Sequence, residues 1–143
     1  MNYILDASAV VEIIASLRRE ARDALSGEAT LDLALYETGN ALWKWIHLKK
    51  ILNAEDSSRI LGSLSEALSI LSVIRAELDD LPKILELSIK AGITFYDASY
   101  LYIAKKFELT LVTSDEELRE AGRREGVSVI SVEEFLREKG LER

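Results

Sequence analysis

Cysteine is missing from this chain. No disulfide can staple it, and thiolate-bound zinc is excluded. Histidine occurs once, at His47, so a metal site would draw mainly on oxygen ligands. The single proline, Pro82, follows Asp79 and Asp80 and marks a helix start. No apolar run approaches the roughly 18 residues of a membrane span. The N-terminus lacks the basic start, apolar middle and small-residue cleavage site of a secretory signal, so a cytoplasmic protein is expected. Positive charge is also short. A net charge of −7 argues against broad, nonspecific nucleic-acid binding, which rests on many Lys and Arg contacts to phosphate. Local basic clusters remain: Arg18, Arg19 and Arg22; Lys44, Lys49 and Lys50; Lys105 and Lys106; Arg119, Arg123 and Arg124. Each is first of all a solvated helix face.

Hydrophobic residues make up 48% of the 143, enough for a real core, and no repeat or linker interrupts them, so residues 1–143 are expected to form a single domain. Short apolar runs alternate with helical patterns. Strands are expected at 2–5, 29–33, 71–75, 109–112 and 127–131. Helices are expected at 9–25, from the second strand to about Lys50, over "NAEDSSRILGSLSEAL", and at 81–91, 95–107, 116–125 and 132–139. "SDEE" (114–117) and "SVEE" (131–134) match a capping box, with Ser114 and Ser131 as N-caps. "TFYD" (94–97) has similar spacing. Alternating strands and helices predict a parallel sheet covered on both faces.

In such sheets, ligands bind beyond the carboxyl ends of the strands. Asp6 follows the first strand directly, and Asp115 follows "LTLVTS". Glu37 lies just past the second strand, at the start of its helix. The helix that opens near Asp97 feeds the strand at 109–112 and must run opposite to it, so its N-terminus lies at the same edge. Four acids therefore converge. Two carboxylates about 4 Å apart repel by roughly 4 kcal/mol at an effective dielectric near 20. Four together require protons or a cation. All-oxygen ligands favour Mg²⁺ or Mn²⁺, and Mg²⁺ prefers a few carboxylates together with substrate phosphate oxygens.

The bland readings stand beside this one. Asp6 is also suited to cap the first helix, Glu37 and Asp97 to meet a helix dipole, and Asp115 to support the start that Ser114 caps. Ser8 and Thr113 suit the fixing of carboxylate orientation. Neither has a His–Asp partner evident in sequence, which sets a hydrolytic serine aside. Asn40, three residues from Glu37, could hold that acid or touch substrate. Lys44 reads first as a surface lysine and His47 as structural. Trp43, Trp45, Ile46 and Leu48 make their helix apolar on more than one side, which suits burial or a partner chain.

The chain resembles the PIN-domain nucleases and, within them, the VapC-type toxins of toxin–antitoxin pairs. "LDASAVV" resembles the opening motif and places Asp6 and Ser8. "YETGNAL" resembles the Glu-x-x-Asn element and places Glu37 and Asn40. "YDASYLYIA" places Asp97, and "LVTSD" places Thr113 and Asp115. The resemblance implies a three-layer α/β/α, Rossmann-like fold with a parallel sheet of four to five strands. It implies an Mg²⁺- or Mn²⁺-dependent endoribonuclease in which Asp6, Glu37, Asp97 and Asp115 hold metal. It also implies a homodimer inhibited by a small VapB-like antitoxin. The alternatives are an inactive PIN scaffold and a receiver-like regulatory module. The latter needs an acceptor Asp after a central strand and a Lys after a later one. "LSVIRAE" has no acid at its strand end, and "LVTSD" puts Asp where Lys is needed.

Overall fold

The computed structural model describes residues 1–142. Five short strands form one parallel sheet in the order β3-β2-β1-β4-β5: β1 (Tyr3–Leu5), β2 (Ala29–Leu31), β3 (Ser72–Ile74), β4 (Thr110–Val112) and β5 (Val129–Ile130). Central β1 pairs with β2 through Ile4 and Ala29 and with β4 through Tyr3–Thr110, Ile4–Leu111 and Leu5–Val112. Alternation along the strands divides the core in two. Leu5 and Val112 face a layer made from α1 (Ala7–Leu17), α2 (Ala21–Leu25), α3 (Leu33–Trp43), α4 (Ala54–Ile70) and α8 (Val132–Glu138). Ile4, Leu111 and Val129 face the opposite layer. There they meet α6 (Phe95–Lys106) and α7 (Glu116–Arg124), and Leu87 of α5 (Leu81–Ala91) packs alongside. The result is the three-layer α/β/α arrangement. The chain changes direction across the sheet between β1 and β4, which opens a crevice at their carboxyl ends.

The buried polar side chains are paired, and among the described residues only the Arg119 Nε is a buried side-chain atom without a hydrogen-bond partner. Thr30 is fully buried, and its hydroxyl donates to the Leu5 carbonyl at 2.6 Å. Glu28, also buried, accepts from the backbone N–H groups of Asn2 (2.9 Å) and Tyr3 (3.2 Å) and pairs with Lys139, tying the N-terminus to the end of α8. Burial pushes the Glu28 carboxyl up, but Lys139 and the two N–H groups outweigh it, and the acid sits below its usual range. Gly122 lets α7 lie on β5: a β-carbon there would fall 2.2 Å from a methyl of Val129.

Three expectations are corrected. The helix expected over 9–25 is broken. It begins at Ala7 because the Asp6 side chain caps it, and it stops at Arg18, whose φ is +51°. A 3₁₀ turn, Arg18–Glu20, then leads into α2. The apolar positions Leu17, Ala21, Ala24 and Leu25 continue the helical period across the break, so periodicity concealed it. The helix expected to reach Lys50 is α-helical only to Trp43 and continues as a π-helical turn, Lys44–Leu48. At 114–117 the N-cap is Asp115, which accepts from the N–H groups of Glu117 (2.9 Å) and Leu118 (3.3 Å), while the Ser114 hydroxyl turns away to Glu12. At 131–134 the capping box is formed, with Ser131 accepting from the Glu134 N–H at 3.1 Å.

Candidate active site

Four helices begin at the carboxyl edge of the sheet, and each contributes one acid to the same place. Asp6 caps α1, Glu37 stands one turn into α3, Asp97 lies in the first turn of α6, and Asp115 caps α7. Glu37 is therefore further into its helix than a first-turn acid. All four line a single cavity of about 210 Å³, together with Ala7, Ser8 and Tyr100. They form a gradient of depth: Asp6 is buried, Glu37 and Asp97 are half-buried, and Asp115 is exposed at the mouth.

Asp6 is the most firmly held. One carboxylate oxygen accepts from the Ala9 N–H (2.9 Å) and the Ser8 hydroxyl (2.7 Å), and the other accepts from the Thr113 hydroxyl. Thr113 in turn accepts from the Asp115 N–H at 3.1 Å, and Ser8 accepts from the Ser114 N–H at 3.2 Å. Two hydroxyls thus lock the ends of β1 and β4 together and fix the carboxylate between them. Glu37 accepts from the Tyr100 hydroxyl at 2.9 Å. Asp97 donates its backbone N–H to the capping Thr94 hydroxyl at 3.1 Å.

Burial pushes the Asp6 carboxyl above its usual range, against the hydrogen bonds from Thr113, Ser8 and Ala9, and Asp115 pushes it further. Glu37 is raised by burial and by the charges of Asp6 and Asp97, against the Tyr100 bond. Asp97 is raised by burial and by Asp115 and Asp6. Burial, then Glu37, raises the Tyr100 phenol. No member of the quartet takes part in a salt bridge with a Lys or Arg of the described residues. Uncompensated, mutually repelling oxygen donors are the set that a hard divalent cation suits. Among the described residues no group of three or more such side chains is placed to hold a metal ion as it stands.

Other residues singled out from sequence lie elsewhere. Asn40 is exposed, off the cavity wall, and Glu37 is held by Tyr100 rather than by it. Lys44 is exposed. His47 stacks on Trp43, also outside the cavity. Sequence reasoning missed Tyr100 as part of the site. It follows Asp97 by three residues and so shares that acid's helical face, which was the available signal. A larger groove of about 650 Å³ between α1, α2 and α4 is lined by Arg18, Arg19, Arg22 and Arg59, with Glu66 and Asp56 paired to the last two, and none of the four acids reaches it.

Fold and site together define a doubly wound α/β protein with a carboxylate cavity at the topological switch point. The PIN domain family profile matches residues 3–124, and the chain belongs to the PIN-domain family. It is 38% identical over 120 residues to Exonuclease VapC9 of Pyrobaculum aerophilum, covering 82% of this chain and 84% of that protein. It is 34% identical over 126 residues to Ribonuclease VapC3 of the same organism, covering 84% and 94%. The crystal structure of PAE2754 from Pyrobaculum aerophilum superposes with a TM-score of 0.80 at 33% identity, covering 99% of this chain and 98% of that one. Family and fold set the receiver-like alternative aside. No helix among the described residues is long and apolar enough to cross a membrane.

Proposed function

We propose that this chain, acting as a single domain in the cytoplasm, is an Mg²⁺- or Mn²⁺-dependent endoribonuclease and the toxin of a toxin–antitoxin pair. Its partners are then RNA, a small VapB-like antitoxin and a second copy of itself. The observation that carries the reading is the quartet Asp6, Glu37, Asp97 and Asp115: four helices that begin at one sheet edge deliver four carboxylates to one cavity, and no Lys or Arg of the described residues lines it. Membership of the PIN family and the names of the two VapC relatives support it.

Asp6, Glu37, Asp97 and Asp115 would hold a divalent ion, which when bound would supply positive charge to a scissile phosphate and lower the pKa of an attacking water. The chain's own residues do the rest. Asp6, clamped by Ser8, Thr113 and the Ala9 N–H, is the fixed wall. Glu37 and Asp97, half-buried on the cavity wall, would orient the attacking water, and one of them would take its proton. Attack on phosphorus with departure of the 3′ oxygen leaves a 5′-phosphate and a 3′-hydroxyl.

Cleavage of a circular RNA in Mg²⁺ or Mn²⁺, abolished by EDTA, tests the reading. An exonuclease leaves the circle intact and attacks only linear RNA, and an inactive PIN scaffold cleaves neither. Tyr100 positions Glu37, so Tyr100→Phe should weaken Mn²⁺ binding several-fold and lower cleavage about tenfold, the scale of one hydrogen bond to a charged group. Unchanged Mn²⁺ affinity with only a lower melting temperature would show that the phenol serves the fold alone.

A further inference from the structure

The helix that carries Glu37 presents a second face that the cavity does not use. Tyr36, Asn40, Trp43 and His47 recur there at i, i+4, i+7 and i+11, one stripe beside Glu37, and all four are exposed. Tyr36 is 75% exposed and Trp43 49%, and the Trp43 and His47 rings stack with centroids 5.2 Å apart at 18°. Large rings held in water forgo burial, and here they are arrayed along one line rather than scattered. Lys44 lies on the same side of the helix, and Lys49 and Lys50 follow the π-helical turn. All three are exposed, and none forms a salt bridge among the described residues. In a chain of net charge −7, this is a local excess of positive charge joined to exposed rings.

We propose that this face is a stacking platform for unpaired bases of single-stranded RNA, leading the strand to the cavity beside Glu37. The proposal deepens the nuclease reading and rests on it. Bases stack on the Tyr36 and Trp43 rings, whose positions lie about 10 Å apart along the helix axis. Lys44 meets a phosphate. The Asn40 amide is placed to bond a base edge, which only an unpaired base exposes fully.

The test is binding of a fluorescein-labelled single-stranded RNA of about 12 nucleotides, in EDTA at low salt, with cleavage in Mn²⁺ measured in parallel. Tyr36→Ala combined with Trp43→Ala should weaken binding at least tenfold at an unchanged melting temperature, since each lost stack costs at least about fivefold. Tyr36→Phe combined with Trp43→Phe keeps the rings and should restore most of it. The same RNA in duplex form should bind more weakly to the wild type. Wild-type affinity in the double alanine variant, or no measurable wild-type binding, overturns the proposal. So does an alanine variant whose mass in solution drops from dimer to monomer, which would make the face a seam between copies. If the wild type cleaves RNA and the alanine variant cleaves and binds equally well, the platform fails and the nuclease stands. If the wild type binds through this face but cleaves nothing, the nuclease reading fails instead.

Discussion

Replacing Asp6 by Asn should lower RNA cleavage by at least about 10²-fold, the scale of removing one key electrostatic group from an active site. The substitution isolates charge because the site can accommodate an amide. Asp6 accepts from the Ala9 N–H and the Ser8 hydroxyl on one oxygen, and an amide oxygen there accepts the same two bonds. The other oxygen accepts from the Thr113 hydroxyl. With an amide nitrogen in its place, that hydroxyl can turn and accept. Its oxygen already takes the Asp115 N–H, and two lone pairs serve both donors. The N-cap of α1 therefore survives, and the melting temperature should hold. Asp6→Ala, by contrast, removes the cap and should also cost about 1 kcal/mol of stability. Asp97→Asn should lose cleavage on the same scale. Asp23→Asn, at an exposed acid on α2 outside the cavity, is the control and should keep full activity. Cleavage near the wild-type rate in folded Asp6→Asn and Asp97→Asn would remove the acids from the chemistry.

Much of the framework was legible because short continuous apolar runs and the helical period are strong local signals. "YIL", "TLV" and their neighbours read as buried strands, and every expected strand has a counterpart, trimmed at its ends. What escaped was backbone detail set by tertiary packing. The break at Arg18 hides inside an apolar period that never lapses. The π-helical turn at Lys44–Leu48 leaves no mark in composition. The choice of Asp115 over Ser114 as N-cap was invisible to a pattern that both residues satisfy. It turns on the Ser114 hydroxyl finding Glu12, 102 positions earlier in the chain, across the β1–β4 junction.

The location of the acids followed from topology alone, since a helix antiparallel to the strand it feeds must start where that strand ends. Their depth did not. Nothing in "YETGNAL" says that Glu37 faces inward to Tyr100 while Asn40, three residues on, stays outside. The difference of about 60° between those two positions on a helix decides it, and only the packing of α3 against α1 and α4 sets that rotation.

Removing divalent metal should abolish cleavage and also reveal the cost of the quartet to the fold. Asp6, Glu37 and Asp97 are each raised above their ordinary values of 3.8, 4.5 and 3.8, so the folded metal-free protein binds protons there more tightly than the unfolded chain. Stability from these groups grows as pH falls through the raised values and is lost as pH rises through them. Glu28 and Asp80 act with the opposite sign. Both sit below their ordinary values, and their contribution disappears only as pH drops below about 4.5 towards their folded pKa values. The EDTA-treated protein should therefore melt at a higher temperature as the pH is lowered from 7.5 towards the raised values of these acids, and then weaken in stronger acid. Mg²⁺ competes with protons for the same oxygens, so it should stabilise far more at pH 7.5. An ion at about 100 times its Kd adds roughly 2.7 kcal/mol, on the order of 5–10 °C for a chain of this size. Glu37→Gln, which keeps the Tyr100 bond through its amide oxygen, should raise the metal-free melting temperature at pH 7.5, shrink the Mg²⁺ effect and lose cleavage together. That combination, a more stable and less active protein, separates a charge kept for chemistry from one kept for the fold. A metal-free protein whose melting temperature never rose as the pH was lowered from 7.5, and which did not respond to Mg²⁺, would mean that the four carboxylates neither repel one another enough to matter nor hold an ion.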